Sequence, residues 1–149
     1  MKSTMRLTRS CELATVGLLV CLLAGCWGSG LYPVEGQVQW KDGGPANDLA
    51  GSLVFFELAE KQSSAQGIIQ PDGSFRLTTL KPNDGAAAGD HTVLLIEVGR
   101  KPQGGPDATN LAPSKIDAKY ATPTTSDLRA TVKPGANKVT LVVDRPAQR

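Results

Sequence analysis

The chain has 149 residues, of which 16 are lysine or arginine and 14 are aspartate or glutamate, so its formal net charge is +2. The lysines are scattered and aromatic residues make up 5%, which argues against a nucleic-acid partner, since such a partner needs a basic patch with interleaved aromatics. All three cysteines, Cys11, Cys21 and Cys26, lie in the first 26 residues, so no disulfide is expected beyond them. The length suits one domain.

The N-terminal segment resembles the export signal of a bacterial lipoprotein. Three basic residues precede an apolar run at 13–23, and Leu23-Ala24-Gly25-Cys26 resembles a lipobox. The run is shorter than the roughly 20 apolar residues that a membrane-spanning helix needs. We therefore expect residues 1–25 to be a signal peptide that is removed. The alternative is a buried N-terminal helix of a cytosolic domain.

Cys26 is the predicted lipidation site. The resemblance implies that its thiolate takes a diacylglyceryl group, and each buried acyl CH₂ contributes about 0.8 kcal/mol to membrane binding. Residues 26–32 would then be a short tether between membrane lipid and the domain. Three basic residues and one acidic residue lie in 1–25, which leaves 13 of each and a near-neutral mature chain. We expect a membrane-anchored protein of the cell envelope, on the periplasmic or outer-membrane face.

Beyond the tether the apolar residues recur with a period of two, which is typical of strands. Val34, Val38 and Trp40 alternate with polar residues, whereas residues 53–56 are continuously apolar and predict a strand buried on both faces. Pro71-Asp72-Gly73 predicts a hairpin turn. The predicted strands are 34–40, 52–58, 65–70, 74–80, 91–98, 128–133 and 139–144. Residues 33–145 would form one all-β domain, a seven-stranded antiparallel β-sandwich.

Residues 99–126 interrupt this pattern. They contain several prolines, and structureless loops longer than about 12–15 residues are unusual unless they are functional or disordered. We expect this segment to make variable, partner-specific contacts, or else to be a flexible connection. Within it, residues 116–120 would rest on the sheet with Tyr120 buried.

Seven short segments together resemble a known family. They are Glu35-Gly36-Gln37-Val38, Asp42-Gly43-Gly44-Pro45, Val54-Phe55-Phe56, Asp72-Gly73-Ser74-Phe75-Arg76-Leu77, Asp84-Gly85-Ala86 with Gly89-Asp90, Lys119-Tyr120, and Thr125-Ser126-Asp127-Leu128. In this order and spacing they resemble the carboxypeptidase regulatory-like, transthyretin-like domain of small bacterial lipoproteins, over residues 32–144. The resemblance implies a sandwich of the prealbumin type without catalytic residues. His91, where an aromatic such as tyrosine is expected, and Asp117, where proline is common, depart from it.

The remaining candidates for chemistry are one histidine and a set of aspartates. A single histidine, His91, excludes a zinc site with two histidine ligands, and we expect it to be hydrogen-bonded or solvated at a strand edge. A Ser–His–Asp triad that uses His91 stays open as an alternative. Five aspartates lie beside glycine or proline, and we expect turn-forming roles rather than Ca²⁺ binding for all of them: Asp42, Asp72, Asp84, Asp90 and Asp107.

These observations favour a non-catalytic, lipid-anchored binding or structural module without metal or cofactor. Its expected partners are membrane lipid, through acylated Cys26, and an envelope protein or polysaccharide that contacts strand edges or residues 99–126. The alternatives are a carbohydrate-binding accessory domain and an envelope hydrolase that uses His91. Few aromatics are available for sugar stacking, because most of them are predicted to be buried; these are Trp40, Phe55, Phe56, Phe75 and Tyr120.

Overall fold

The computed structural model describes residues 30–101 and 111–146. The predicted signal peptide, Cys26 and Asp107 lie outside these residues, as does most of the predicted tether. The described chain forms nine strands and three short 3₁₀ turns, and it contains no α-helix. The strands are β1 (Leu31–Tyr32), β2 (Val34–Trp40), β3 (Leu53–Leu58), β4 (Ser63–Ile68), β5 (Ser74–Arg76), β6 (Ala86–Ala87), β7 (Gly89–Ile96), β8 (Arg129–Val132) and β9 (Asn137–Val143). No described helix is long and apolar enough to cross a bilayer.

The strands form three sheets. The orders are β1-β6, β5-β2-β9 and β4-β3-β7-β8, so the all-β prediction is confirmed. One pair is not antiparallel: β2 and β9 run parallel through seven register pairs, from Val34 with Asn137 to Trp40 with Val143. The prediction of a wholly antiparallel arrangement is wrong here, because the turn after β8 carries the chain to the other sheet. Strand β9 therefore lies beside β2 and does not fold back on β8.

Strand β2 has the predicted bounds, and one glycine in it permits close packing. A Cβ at Gly36 would lie 2.2 Å from Cζ of Phe75 and 2.7 Å from the carbonyl oxygen of Val139. Such distances are well inside van der Waals contact, so a larger residue would displace the Phe75 ring or the β9 backbone. Gly36 thus allows both neighbours of β2 to approach it.

Residues of strand β3 alternate between buried and half-buried positions, so only one face of the strand is fully buried. Val54, Phe56 and Leu58 are buried, whereas Leu53 and Phe55 are half-buried. Val54 and Phe56 belong to the common core, and the continuous apolar run does not reflect a second covering layer. The prediction of two fully buried faces is therefore wrong.

The two larger sheets share one hydrophobic core. Buried residues of β2, β5 and β9 belong to the same cluster as those of β3, β4, β7 and β8. The rings of Phe56 and Phe75 meet across it with centroids 6.1 Å apart. Ile116 and Tyr120 are 5% and 2% exposed and complete the cluster, so the predicted burial of Tyr120 is confirmed.

Replacing Gly36 with alanine should destabilise the fold by about 1–3 kcal/mol, the usual cost of overpacking. Urea denaturation followed by circular dichroism measures this. Thr140→Ala, at an exposed site on the adjacent β9, is the matched control and should change the free energy of unfolding by less than about 1 kcal/mol. Equal effects of the two substitutions would contradict the close approach at Gly36.

Candidate functional site

A groove lies where a hairpin separates into two sheets. After the predicted turn, Gln70 N–H donates to the Ser74 carbonyl at 2.7 Å, and Gln66 and Thr78 exchange two backbone bonds of 2.9 and 2.8 Å. Between these closures, Ile68 pairs with Leu53 of β3, and Arg76 pairs with Glu35 of β2. The turn was predicted correctly, but its two strands belong to different sheets.

We call the resulting opening the split groove. It encloses about 670 Å³. Its wall combines side-chain amides, two hydroxyls and one guanidinium with the apolar side chain of Ile68, which is 55% exposed. The lining residues are Leu53, Gln66, Gly67, Ile68, Gln70, Ser74, Phe75, Arg76, Thr78 and Asn83.

Backbone groups also face the split groove. Leu77 N–H donates to the Val34 carbonyl and Ile69 N–H to the Ser52 carbonyl. Because successive residues of a strand point their N–H groups in opposite directions, the N–H groups of Arg76 and Ile68 point away from β2 and β3 respectively. Both point toward the facing strand of the hairpin, which stays close, because a Cβ at Gly67 would lie only 2.6 Å from the Arg76 carbonyl oxygen.

A second polar surface covers the end of the fold where β2 and β9 finish. We call it the polar cluster. The Trp40 indole N–H donates to Asp48 Oδ1 at 2.9 Å, and the Arg145 guanidinium lies 4.3 Å from the Trp40 ring centroid. Arg145 Nε also donates to Asp42 Oδ2 at 2.8 Å. The cluster consists of Trp40, Lys41, Asp42, Asp48, Lys119, Tyr120, Asp127, Asp144 and Arg145.

Asp144 joins the segment after residue 111 to the end of β9. Its carboxylate accepts a hydrogen bond from Lys119 Nζ at 2.8 Å and pairs with Lys41 Nζ at 3.2 Å. Its own backbone N–H donates to the Tyr120 hydroxyl at 2.9 Å. Lys119 and then Lys41 lower the pKa of Asp144 below its ordinary 3.8, and Asp144 and Asp127 raise the pKa of Lys119. The cluster is thus a set of mutually satisfied charges.

Side-chain hydrogen bonds to Glu97 and to the Asp48 backbone hold the described part of the long segment in place. The Ser114 hydroxyl donates to Glu97 Oε2 at 2.8 Å, and Lys115 Nζ donates to the Asp48 carbonyl at 3.1 Å. Together with buried Ile116 and Tyr120, these contacts fix residues 114–120 on the sheets. Residues 102–110, the other part of the predicted contact segment, lie outside the described residues.

His91 is an interior residue of β7. It is 1% exposed, so the predicted strand-edge position is wrong, although a hydrogen bond is present. Its Nε2–H donates to the Ala87 carbonyl at 2.8 Å, and its ring lies 5.6 Å from that of Phe56 between centroids. Nδ1 has no hydrogen-bond partner in the described part of the chain. The imidazole therefore packs as an aromatic ring where the resemblance led us to expect one.

Asp72 and Asp84 serve turns and Asp42 pairs with Arg145, whereas Asp90 lies in β7 and accepts a hydrogen bond from Thr131, so its predicted turn role is wrong. Asp84 accepts backbone N–H bonds from Thr79, Leu80 and Lys81 at 2.7, 2.9 and 2.8 Å. Burial opposes ionisation, but these bonds prevail and lower the pKa of Asp84. Asp72 accepts the Ser74 N–H at 2.9 Å. Across residues 30–101 and 111–146, no three His, Cys, Asp or Glu side chains are grouped to hold a metal ion.

No family model, curated protein or solved structure matches this chain. Sequence reasoning named the strand edges as contact surfaces but missed the split groove, because the hairpin signal at Pro71-Asp72-Gly73 does not say which sheet each strand joins. Trp40, Phe56, Phe75 and Tyr120 are buried, as predicted.

Asp144→Asn should lower stability near neutral pH and have no effect in strong acid. A carboxylate with a depressed folded-state pKa stabilises the fold fully above its unfolded-state pKa, and this contribution is lost as pH falls through the folded-state value. Urea midpoints should therefore differ between variant and wild type at about pH 7, and the difference should shrink as the pH falls below 3.8 and the Asp144 carboxylate is protonated.

Glu60→Gln is the control for the Asp144 experiment. Glu60 is exposed and makes no ion pair with another described residue. Its substitution should leave the midpoints unchanged over the same pH range. A midpoint difference for Asp144→Asn that stays constant with pH would contradict the role of its charge.

Proposed function

We propose that this protein is an envelope lipoprotein, held on the membrane by acylated Cys26, whose β-domain binds a partner without catalysing a reaction. The seven strands of the three-stranded and four-stranded sheets would correspond to a β-sandwich of the transthyretin type, the fold that the resemblance to carboxypeptidase regulatory-like domains implies. Their common core supports this interpretation.

The split groove is the observation on which the binding role depends. It offers side-chain amides, two hydroxyls and a guanidinium, and one exposed apolar residue, Ile68. Such a surface suits an extended polypeptide, because the amides and hydroxyls can hydrogen-bond to its peptide groups while one of its apolar side chains meets Ile68. We therefore propose that the partner is an extended segment of another envelope protein.

A polysaccharide partner is less well supported by the groove. Sugar-binding surfaces use the faces of exposed aromatic rings, and the aromatic ring in the groove wall, Phe75, is 1% exposed. The polar amides could still bind hydroxyl groups, so the experiment below is designed to distinguish the two partner classes.

The anchor is tested by Cys26→Ala, with Cys21→Ala as the matched control. We expect Cys26→Ala to abolish acylation and leader removal, and Cys21→Ala to change neither, since only the thiol at the lipobox can form the thioether. Intact-protein mass spectrometry of membrane fractions measures both. Normal processing of Cys26→Ala would contradict lipidation at this residue.

The binding role is tested by placing a photo-activatable cross-linking amino acid at position 66 in intact cells. Gln66 lines the groove, and exposed Thr140 of β9 is the control position. We expect position 66 to cross-link to one polypeptide at a yield at least about tenfold above position 140, because a bound strand stays within reach of the probe. Adducts that contain sugar would favour the polysaccharide, and equal yields at both positions would contradict binding in the groove.

A further inference from the structure

Three segments gather around the start of the described chain. Tyr32 pairs with Ala86, which follows the loop at residues 78–85. Asn137, after the turn at 133–136, donates its N–H to the Pro33 carbonyl at 2.9 Å. Lys61 Nζ donates to the Ala88 carbonyl at 2.9 Å, which brings the turn after β3 to the same place. We call this end of the fold the basal face.

The loop at residues 78–85 exposes Leu80 at the basal face. Leu80 is 77% exposed, the highest exposure among the large apolar side chains described. The Asp84 carboxylate accepts the N–H groups of Thr79, Leu80 and Lys81, and the Thr79 hydroxyl donates to the Gly85 carbonyl at 2.7 Å. These hydrogen bonds fix the conformation of the loop backbone. The exposed position of Leu80 is therefore a fixed feature of the loop.

The same loop contacts Tyr32 and Pro33, near the start of the described chain. Gly85 has a φ of +88°, and a Cβ there would lie 1.7 Å from the Tyr32 carbonyl oxygen. Only glycine fits both the backbone conformation and the contact. Leu80 is therefore held beside the point from which the chain leads back to Cys26.

Three lysines lie at the same end of the fold as Leu80. Lys81 follows it, Lys133 lies in the turn that contacts Pro33 through Asn137, and Lys61 reaches Ala88. Neither Lys81 nor Lys133 makes an ion pair with another described residue, and both are exposed. Most of the nearby carboxylates already have partners. Asp84 accepts backbone N–H groups, Asp90 accepts a hydrogen bond from the Thr131 hydroxyl, and Glu35 forms an ion pair with Arg76 at 2.9 Å. Glu60 is exposed.

We propose that the basal face docks on an anionic lipid headgroup layer, with Leu80 inserted into the interface and Lys61, Lys81 and Lys133 facing the phosphates. A face that presents an exposed apolar side chain together with lysines suits such a surface, where both apolar burial and electrostatic attraction favour binding. Docking rests on the proposed acylation of Cys26. Gly30 is four residues after Cys26, and four extended residues reach at most about 14 Å, so an acylated Cys26 holds this face close to lipid.

The experiment places a fluorescent probe at the basal face of the full-length, processed protein. Leu80→Cys is labelled with an environment-sensitive fluorophore after processing has removed Cys11 and Cys21 with the signal peptide, and the protein is reconstituted in vesicles of phosphatidylcholine with or without phosphatidylglycerol. Val142→Cys, 51% exposed on β9, is the control. We expect lipid-borne quenchers to quench the probe at position 80 when phosphatidylglycerol is present, and not the probe at position 142.

Replacing the lysines tests the electrostatic part. Lys81→Gln and Lys133→Gln should each lower the ratio of docked to undocked domain about fivefold in phosphatidylglycerol vesicles. Quenching at position 80 that does not depend on phosphatidylglycerol or on the lysines would overturn the proposal, as would equal quenching at positions 80 and 142. The parent protein without an added thiol reports the anchor separately, because Cys26 takes up the label only if it is not acylated.

Discussion

The parallel pairing of β2 with β9 is the constraint on which the rest of the structure depends. It places the first long strand beside the last one, so that Val34 lies next to Asn137 and Trp40 next to Val143. Seven strand residues span about 20 Å, and this length separates two different ends. The start of the described chain, at Gly30, and the basal face lie at one end, and the polar cluster lies at the other.

This separation gives each surface a distinct physical character. At the polar cluster, Asp144 and Arg145 follow directly from β9 and neutralise lysines and aspartates brought there by β2 and by the segment after residue 111. At the basal face, Lys81 and Lys133 have no such described partner, and Leu80 is exposed. The split groove lies between β4 and β5, where the backbone leaves one sheet for the other. An anchored domain with this arrangement would keep its groove accessible from the side.

Much of the local structure could be predicted from the sequence, because alternation with period two is a local property. Strand β2 has the predicted bounds, and Tyr120 is buried as expected. Pairing partners are not local: nothing near β9 indicates that it lies parallel to β2, and Pro71-Asp72-Gly73 does not indicate that β4 and β5 diverge. The groove arises from that divergence and was missed for the same reason. His91 was misplaced because a single polar residue in an apolar strand does not reveal whether its ring is covered.

The most direct test of this account is thiol cross-linking across β2 and β9, with the products mapped by peptide mass spectrometry. Gln39→Cys with Val142→Cys joins two register partners of the parallel pair. Glu35→Cys with Val142→Cys is the control pair. Its two positions are four residues out of that register, which corresponds to about 13 Å along the strand. A short cross-linker should join the first pair and not the second. Efficient cross-linking of the second pair, with none of the first, would contradict the parallel arrangement and the separation of the two ends.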